Sequence, residues 1–142
     1  MFLPHENELG ASDAAFLLGA HVEAGFPSPA EDFVEGRLDL NAYLIHRPAA
    51  TFLLRVSGES MKGAGLYPGD VVTVDRSLAP RNGSIVIAAL NGELTVKTLR
   101  WTAGGGVLKA ANPAFPDFPL GEDVETVIWG VVTGLVRRID GR

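Results

Sequence analysis

The alternation of apolar and polar positions changes character near residue 51. Beyond it come short runs rich in β-branched and aromatic residues: 51–56 (TFLLRV), 71–74 (VVTV), 84–90 (SIVIAAL), 93–101 (ELTVKTLRW), 107–111 (VLKAA) and 124–138. Runs of this length and composition predict strands. Turn residues separate them. Asn91-Gly92, between two of the runs, predicts a tight type I′ hairpin. Tyr67-Pro68-Gly69-Asp70 and Arg81-Asn82-Gly83 predict further turns. The pattern contains no repeat, and it predicts a mainly β, compact and partly closed fold of short strands.

Residues 1–24 show neither strand alternation nor clear helical periodicity. The apolar run 14–20 (AAFLLGA) reads as part of an arm, with a helical turn as its local structure. Residues 25–30 (GFPSPA) hold two prolines and a glycine, cannot continue a helix, and read as an exposed hinge. Residues 31–45 fit a short helix or an extended lead-in equally well. The expected organisation is an extended, mobile N-terminal arm over 1–30 and a β-rich body over 31–142.

Composition narrows the class. The chain has 142 residues, 46% hydrophobic and 20% charged, enough for one core. It has no cysteine, which excludes disulfides and thiolate metal sites and fits a reducing, cytoplasmic setting. The net charge of −5 is uneven: residues 1–40 carry eight acids against Arg37 alone, the remainder nine acids against eleven bases. An acidic arm repels phosphate backbones, which argues against direct nucleic-acid binding. A secretory leader would need a basic start, and residues 1–13 contain no Lys or Arg. The seven-residue run is also far too short to span a membrane.

Two places could carry chemistry. Ser57-Gly58-Glu59-Ser60-Met61-Lys62-Gly63 follows a predicted strand, so a turn would present the Ser60 hydroxyl, and backbone N–H groups there could face an oxyanion. The motif departs from the G-x-S-x-G elbow at Lys62. A serine in a polar turn explains it as well. Lys97 lies in a hairpin strand whose alternation puts Glu93, Thr95, Lys97, Leu99 and Trp101 on one face. Leu99 and Trp101 would partly desolvate the amine and lower its pKa, and a neutral amine can take a serine proton. Thr95 could aim it. A lysine stem lying along apolar surface is the structural alternative. Spacing also leaves a triad through His46 open. His5, His21 and His46 form no metal-ligand pattern, and neither a P-loop nor a dinucleotide frame is present, so no cofactor or metal is expected. Gly104-Gly105-Gly106 reads as a mobile hairpin tip.

In order, Ser57-Gly58-x-Ser60-Met61, Gly69-Asp70 before a strand, and Glu93-x-Thr95-Val96-Lys97 after an Asn-Gly turn resemble the motif series of the LexA-like Ser–Lys autoproteases, with 37 residues from Ser60 to Lys97. Ala24-Gly25-Phe26-Pro27-Ser28-Pro29-Ala30, with Leu38-Asp39-Leu40-Asn41 and Leu44-Ile45, resembles the UmuD group of SOS mutagenesis proteins within that family. The resemblance implies Ser60 as nucleophile and Lys97 as general base. It implies supporting roles for Thr95, Glu59 and Met61, with the N–H groups of Ser60 and Glu59 as oxyanion hole. The implied cut is the Ala24–Gly25 bond, where alanine stands in place of the cysteine familiar in that group. It further implies a homodimer, activation by a RecA–single-stranded-DNA filament, and partnership with a UmuC-type polymerase subunit in translesion synthesis.

The residues around the implied cut suit it independently. A small residue followed by glycine lets a strand lie close to a protease surface, and Pro27 and Pro29 keep the segment extended. Three rivals stand beside this expectation. A self-cleaving repressor needs a helix-turn-helix ahead of the hinge, and the 24 residues there are few and acidic. A signal-peptidase-like enzyme needs a membrane anchor. A non-enzymatic β-rich interaction module would leave Ser60 and Lys97 structural.

Overall fold

The computed structural model describes residues 14–19, 21–22, 24–25 and 34–141. It divides into two units, Met1–Leu44 and Ile45–Arg142.

In the first unit β1 (Ala15–Leu18) pairs antiparallel with β2 (Val34–Leu38), followed by a short helix α1 (Leu40–Leu44). The carboxylate of Asp39 accepts the N–H groups of Asn41 and Ala42 (2.9 and 3.3 Å), capping that helix. Residues 31–45 therefore contain both a strand and a helix. The helical turn expected in the AAFLLGA run is corrected: Ala15–Leu18 is a strand. All four of its residues are exposed, Phe16 by 61% under the Arg37 guanidinium (4.5 Å), so it has no buried face to impose period-two alternation.

The second unit is one seven-stranded antiparallel sheet, ordered β3-β4-β9-β5-β6-β7-β8. Its strands are β3 (Thr51–Arg55), β4 (Val71–Asp75), β5 (Ile85–Leu90), β6 (Glu93–Thr102), β7 (Gly105–Lys109), β8 (Phe118–Gly121) and β9 (Ile128–Val136). The mainly β expectation holds. Strand β5 is apolar on both faces because both are covered. Ile87 packs with Val56, Met61, Leu66, Val72 and Val74, while Val86 and Ala88 pack with Leu99, Leu108, Val124 and Val131. Asn91 (φ 51°) and Gly92 (φ 82°) make the β5–β6 hairpin turn as expected.

Three local expectations change. Residues 124–127 form a helical turn, α2 (Val124–Val127), and the strand begins only at Ile128. β8 was not expected; Pro119 obscures it and is tolerated because β8 is a sheet edge. Gly105 and Gly106 are the first residues of β7, not a loose tip. A Cβ at Gly105 would collide with the Gly121 carbonyl, and one at Gly106 would lie 2.5 Å from Val124 Cγ2. These glycines permit close strand approach.

Candidate active site

The chain leaves β3 at Arg55 and returns to β4 at Val71. Between them Ser60 sits on a turn that Gly58 opens with φ 79°, a backbone that glycine adopts without strain. Met61 anchors this turn, with its side chain only 1% exposed in the Val56–Leu66 core cluster. At the far end Asp70, 1% exposed, accepts the Tyr67 N–H (2.8 Å) and both arms of the Arg137 guanidinium (2.6 and 2.5 Å). Those bonds, led by Arg137, hold the Asp70 carboxyl below the usual carboxylate range. Arg137 also donates to the Gly65 carbonyl (2.8 Å), tying the end of the last strand to the loop.

A short segment after β7 grips the turn from the other side. Ala111 N–H donates to the Ser60 carbonyl (2.8 Å), and Gly63 N–H donates to the Ala111 carbonyl (2.7 Å). A Cβ at residue 63 would lie 2.5 Å from that carbonyl oxygen, which explains glycine here better than any elbow motif. Asn112 Nδ2 donates to the Glu59 carbonyl (3.0 Å), while the exposed Glu59 carboxylate pairs with Lys62 (2.9 Å).

Lys97 enters from the middle of β6. It stands opposite Val86 in the β5 register and two residues from Leu99, both wholly buried, and is itself 6% exposed. Its Nζ lies 3.0 Å from Ser60 Oγ, 3.0 Å from Thr95 Oγ1 and 3.2 Å from the Val96 carbonyl oxygen. No carboxylate among the described residues forms an ion pair with it. Desolvation therefore acts unopposed and lowers the amine's pKa. Nζ donates to all three, Ser60 Oγ, Thr95 Oγ1 and the Val96 carbonyl, and once it has shed a proton its lone pair is left within reach of the Ser60 hydroxyl.

The structure thus brings together Ser60, Lys97 and Thr95, with Glu59 and Met61 flanking the serine. It does not bring His46 in; that side chain is exposed on a loop, and Ser60 Oγ has Lys97 as its partner. Trp101 is half exposed, whereas Leu99 and Val86, beside Lys97 in the sheet, are wholly buried. Ala24 and Gly25 are exposed in a bend of the first unit; Glu23 and residues 26–33 lie outside the described residues. Sequence reasoning missed Asn112, Ala111 and the Asp70–Arg137 pair. The Asn112-Pro113 dipeptide signals a turn but not the partner that the turn serves. No group of His, Asp or Glu among the described residues could hold a metal ion, and no helix among them is long and apolar enough to cross a membrane.

A serine hydroxyl on a glycine-bounded turn thus touches a buried lysine amine on a mainly β frame. The chain belongs to the Peptidase S24-like family, whose model matches residues 16–133. It is similar to protein SamA of Salmonella typhimurium, 49% identical over 116 residues covering 81% of this chain and 79% of SamA. It is similar to protein ImpA of Escherichia coli, 46% identical over 122 residues covering 86% and 83%. LexA repressor 1 of Pseudomonas putida is 36% identical over 132 residues, covering 92% of this chain and 65% of the repressor. The resemblance to LexA-like autoproteases drawn from the motifs is borne out.

Proposed function

We propose that the chain is a self-cleaving serine endopeptidase that cuts its own Ala24–Gly25 bond with a Ser60–Lys97 dyad. One observation carries this reading: the Lys97 amine is buried, has no carboxylate partner among the described residues, and stands 3.0 Å from Ser60 Oγ. Lys97 Nζ takes the hydroxyl proton as Oγ attacks the Ala24 carbonyl carbon. The oxyanion forms against the N–H groups of Ser60 and Glu59. The Lys97 ammonium then returns the proton to the departing Gly25 nitrogen, leaving Ala24 as an ester on Ser60. Water, deprotonated by the same amine, releases Ala24 and restores the serine. Thr95 Oγ1 holds the amine in place through its 3.0 Å contact.

The same proposal takes residues 1–30 as the arm and 31–142 as the protease body. Cutting after Ala24 would remove Glu6, Glu8, Asp13 and Glu23 and no Lys or Arg. Similarity to the UmuD group supports the rest of the reading. A RecA–single-stranded-DNA filament stimulates the cut in the cytoplasm, and the trimmed homodimer serves a UmuC-type polymerase subunit in SOS mutagenesis. Mass spectrometry after incubation at alkaline pH tests the chemistry: scission after residue 24 is expected in the native chain and absent in Ser60→Ala. Cutting at that bond by the alanine variant ends the assignment.

A further inference from the structure

We infer that Asn112 is a positioning residue for the Ser60 turn, acting through the Glu59 carbonyl to aim the Ser60 N–H at the developing oxyanion. The inference rests on the Ser–Lys reading above and adds to it a residue outside both motifs.

Planarity of the peptide bond makes the Glu59 carbonyl and the Ser60 N–H one rigid unit pointing in opposite directions. Whatever fixes one fixes the other. The Glu59 carbonyl accepts two hydrogen bonds, from Asn112 Nδ2 (3.0 Å) and from Lys62 N–H (3.3 Å). At the opposite edge of the same plane, the Ser60 N–H has no partner among the described residues. A donor held by its own carbonyl and left unspent is the arrangement that stabilises a transient anion without reorganisation. The next peptide is held similarly, because the Ser60 carbonyl accepts Ala111 N–H (2.8 Å). The two peptide planes flanking Ser60 are thus gripped by consecutive residues, Ala111 and Asn112.

The orientation of the Asn112 amide is itself fixed. Its Oδ1 accepts the Ala114 N–H (3.0 Å), so the NH2 group must face Glu59. One side chain shapes its own turn with the acceptor and presents the donor to the serine turn. This separates the two roles experimentally. Asn112→Asp keeps the shape and the acceptor for Ala114 and replaces the donor with a carboxylate oxygen, whereas Asn112→Ser removes the donor without adding charge.

The measurements are self-cleavage across an alkaline pH series and covalent labelling of Ser60 by a small alkyl fluorophosphonate, in which Oγ displaces fluoride and the arm takes no part. Both are made where circular dichroism finds each protein fully folded. Asn112→Asp is expected to lower the plateau rate above the lysine titration, and the labelling rate, about tenfold or more. Comparing plateaus removes any shift that the new carboxylate imposes on Lys97. Asn112→Ser, which retains a turn acceptor but is too short to reach Glu59, is expected to show the same loss and serves if the aspartate variant does not fold. A native-like plateau and labelling rate in a folded variant overturns the role of Asn112 alone. A native protein that neither cleaves nor labels at Ser60 overturns the Ser–Lys reading and this one with it.

Discussion

Replacing Lys97 with methionine should stabilise the fold at neutral pH, and the advantage should shrink as pH rises. Lys97 is 6% exposed, and burial lowers its pKa from an unfolded value of about 10.4. The unfolded chain therefore holds this proton more tightly than the folded one. Below the folded pKa both states are protonated, and the fold bears the whole cost of burying the ammonium. Between the two pKa values only the unfolded state keeps the proton, so stability rises with pH. Above about 10.4 the cost is gone. Each pH unit by which the amine is lowered corresponds to about 1.4 kcal/mol of this cost. Methionine has nearly the same length, titrates nowhere, and buries its thioether without a charge. It gives up the 3.0 Å contacts to Ser60 and Thr95, both half-buried and open to water as a substitute.

The assay compares Ser60→Ala with Ser60→Ala/Lys97→Met, so that neither chain cuts itself, by thermal melting at pH 7 and near pH 10. For a domain of about 100 residues, 1 kcal/mol moves Tm by roughly 4–8 °C. The double variant should melt higher at pH 7, and the gap should close or reverse by pH 10. A gap that is the same at both pH values would refute the argument, because it would mean that the amine titrates alike in the folded and unfolded chain.

Lys97→Arg should abolish self-cleavage in a mass-spectrometric assay even though it preserves the charge, since a guanidinium stays protonated and cannot act as the base. Gly63→Ala should destabilise by about 1–3 kcal/mol in chemical denaturation, because its Cβ would lie 2.5 Å from the Ala111 carbonyl oxygen and force the two segments apart. Arg137→Met should lower Tm most above about pH 4, where Asp70 is left as an unpaired buried carboxylate. Asp70 is lowered in the fold, so its contribution is present above the unfolded pKa and lost as pH falls through the folded one. The deficit of this variant should therefore narrow in melts taken at progressively lower pH.

Local signals were enough for most of the second unit's strands. Asn91-Gly92 needs only its own left-handed backbone to predict the β5–β6 turn, and the β-branched run SIVIAAL predicts a strand, with the burial of both its faces added by the structure. Where the cause is non-local, the sequence is silent or misleading. β1 has no apolar alternation because it is defined by its partner β2 rather than by a buried face. β8 is concealed by a proline that only an edge position can accept. Three consecutive glycines look like a loose tip until Gly121 and Val124 are seen to occupy the space a side chain would need.

The site divides along the same line. Strand periodicity is local, so the shared face of Thr95, Lys97 and Leu99 could be read directly, and with it the desolvation of the amine. The meeting of Lys97 with Ser60 spans 37 residues of sequence, and only the resemblance to a known motif series suggested it. Asn112 lies 53 residues from Glu59 and acts through a backbone carbonyl, a group that every residue possesses. No pattern of residue types at Ser60 could announce such a partner. A motif names the side chains that react, whereas the backbone directions that make them effective are set by segments with no motif at all. For this fold that segment is the short stretch leaving β7, where Ala111 and Asn112 fix the two peptide planes on either side of one serine.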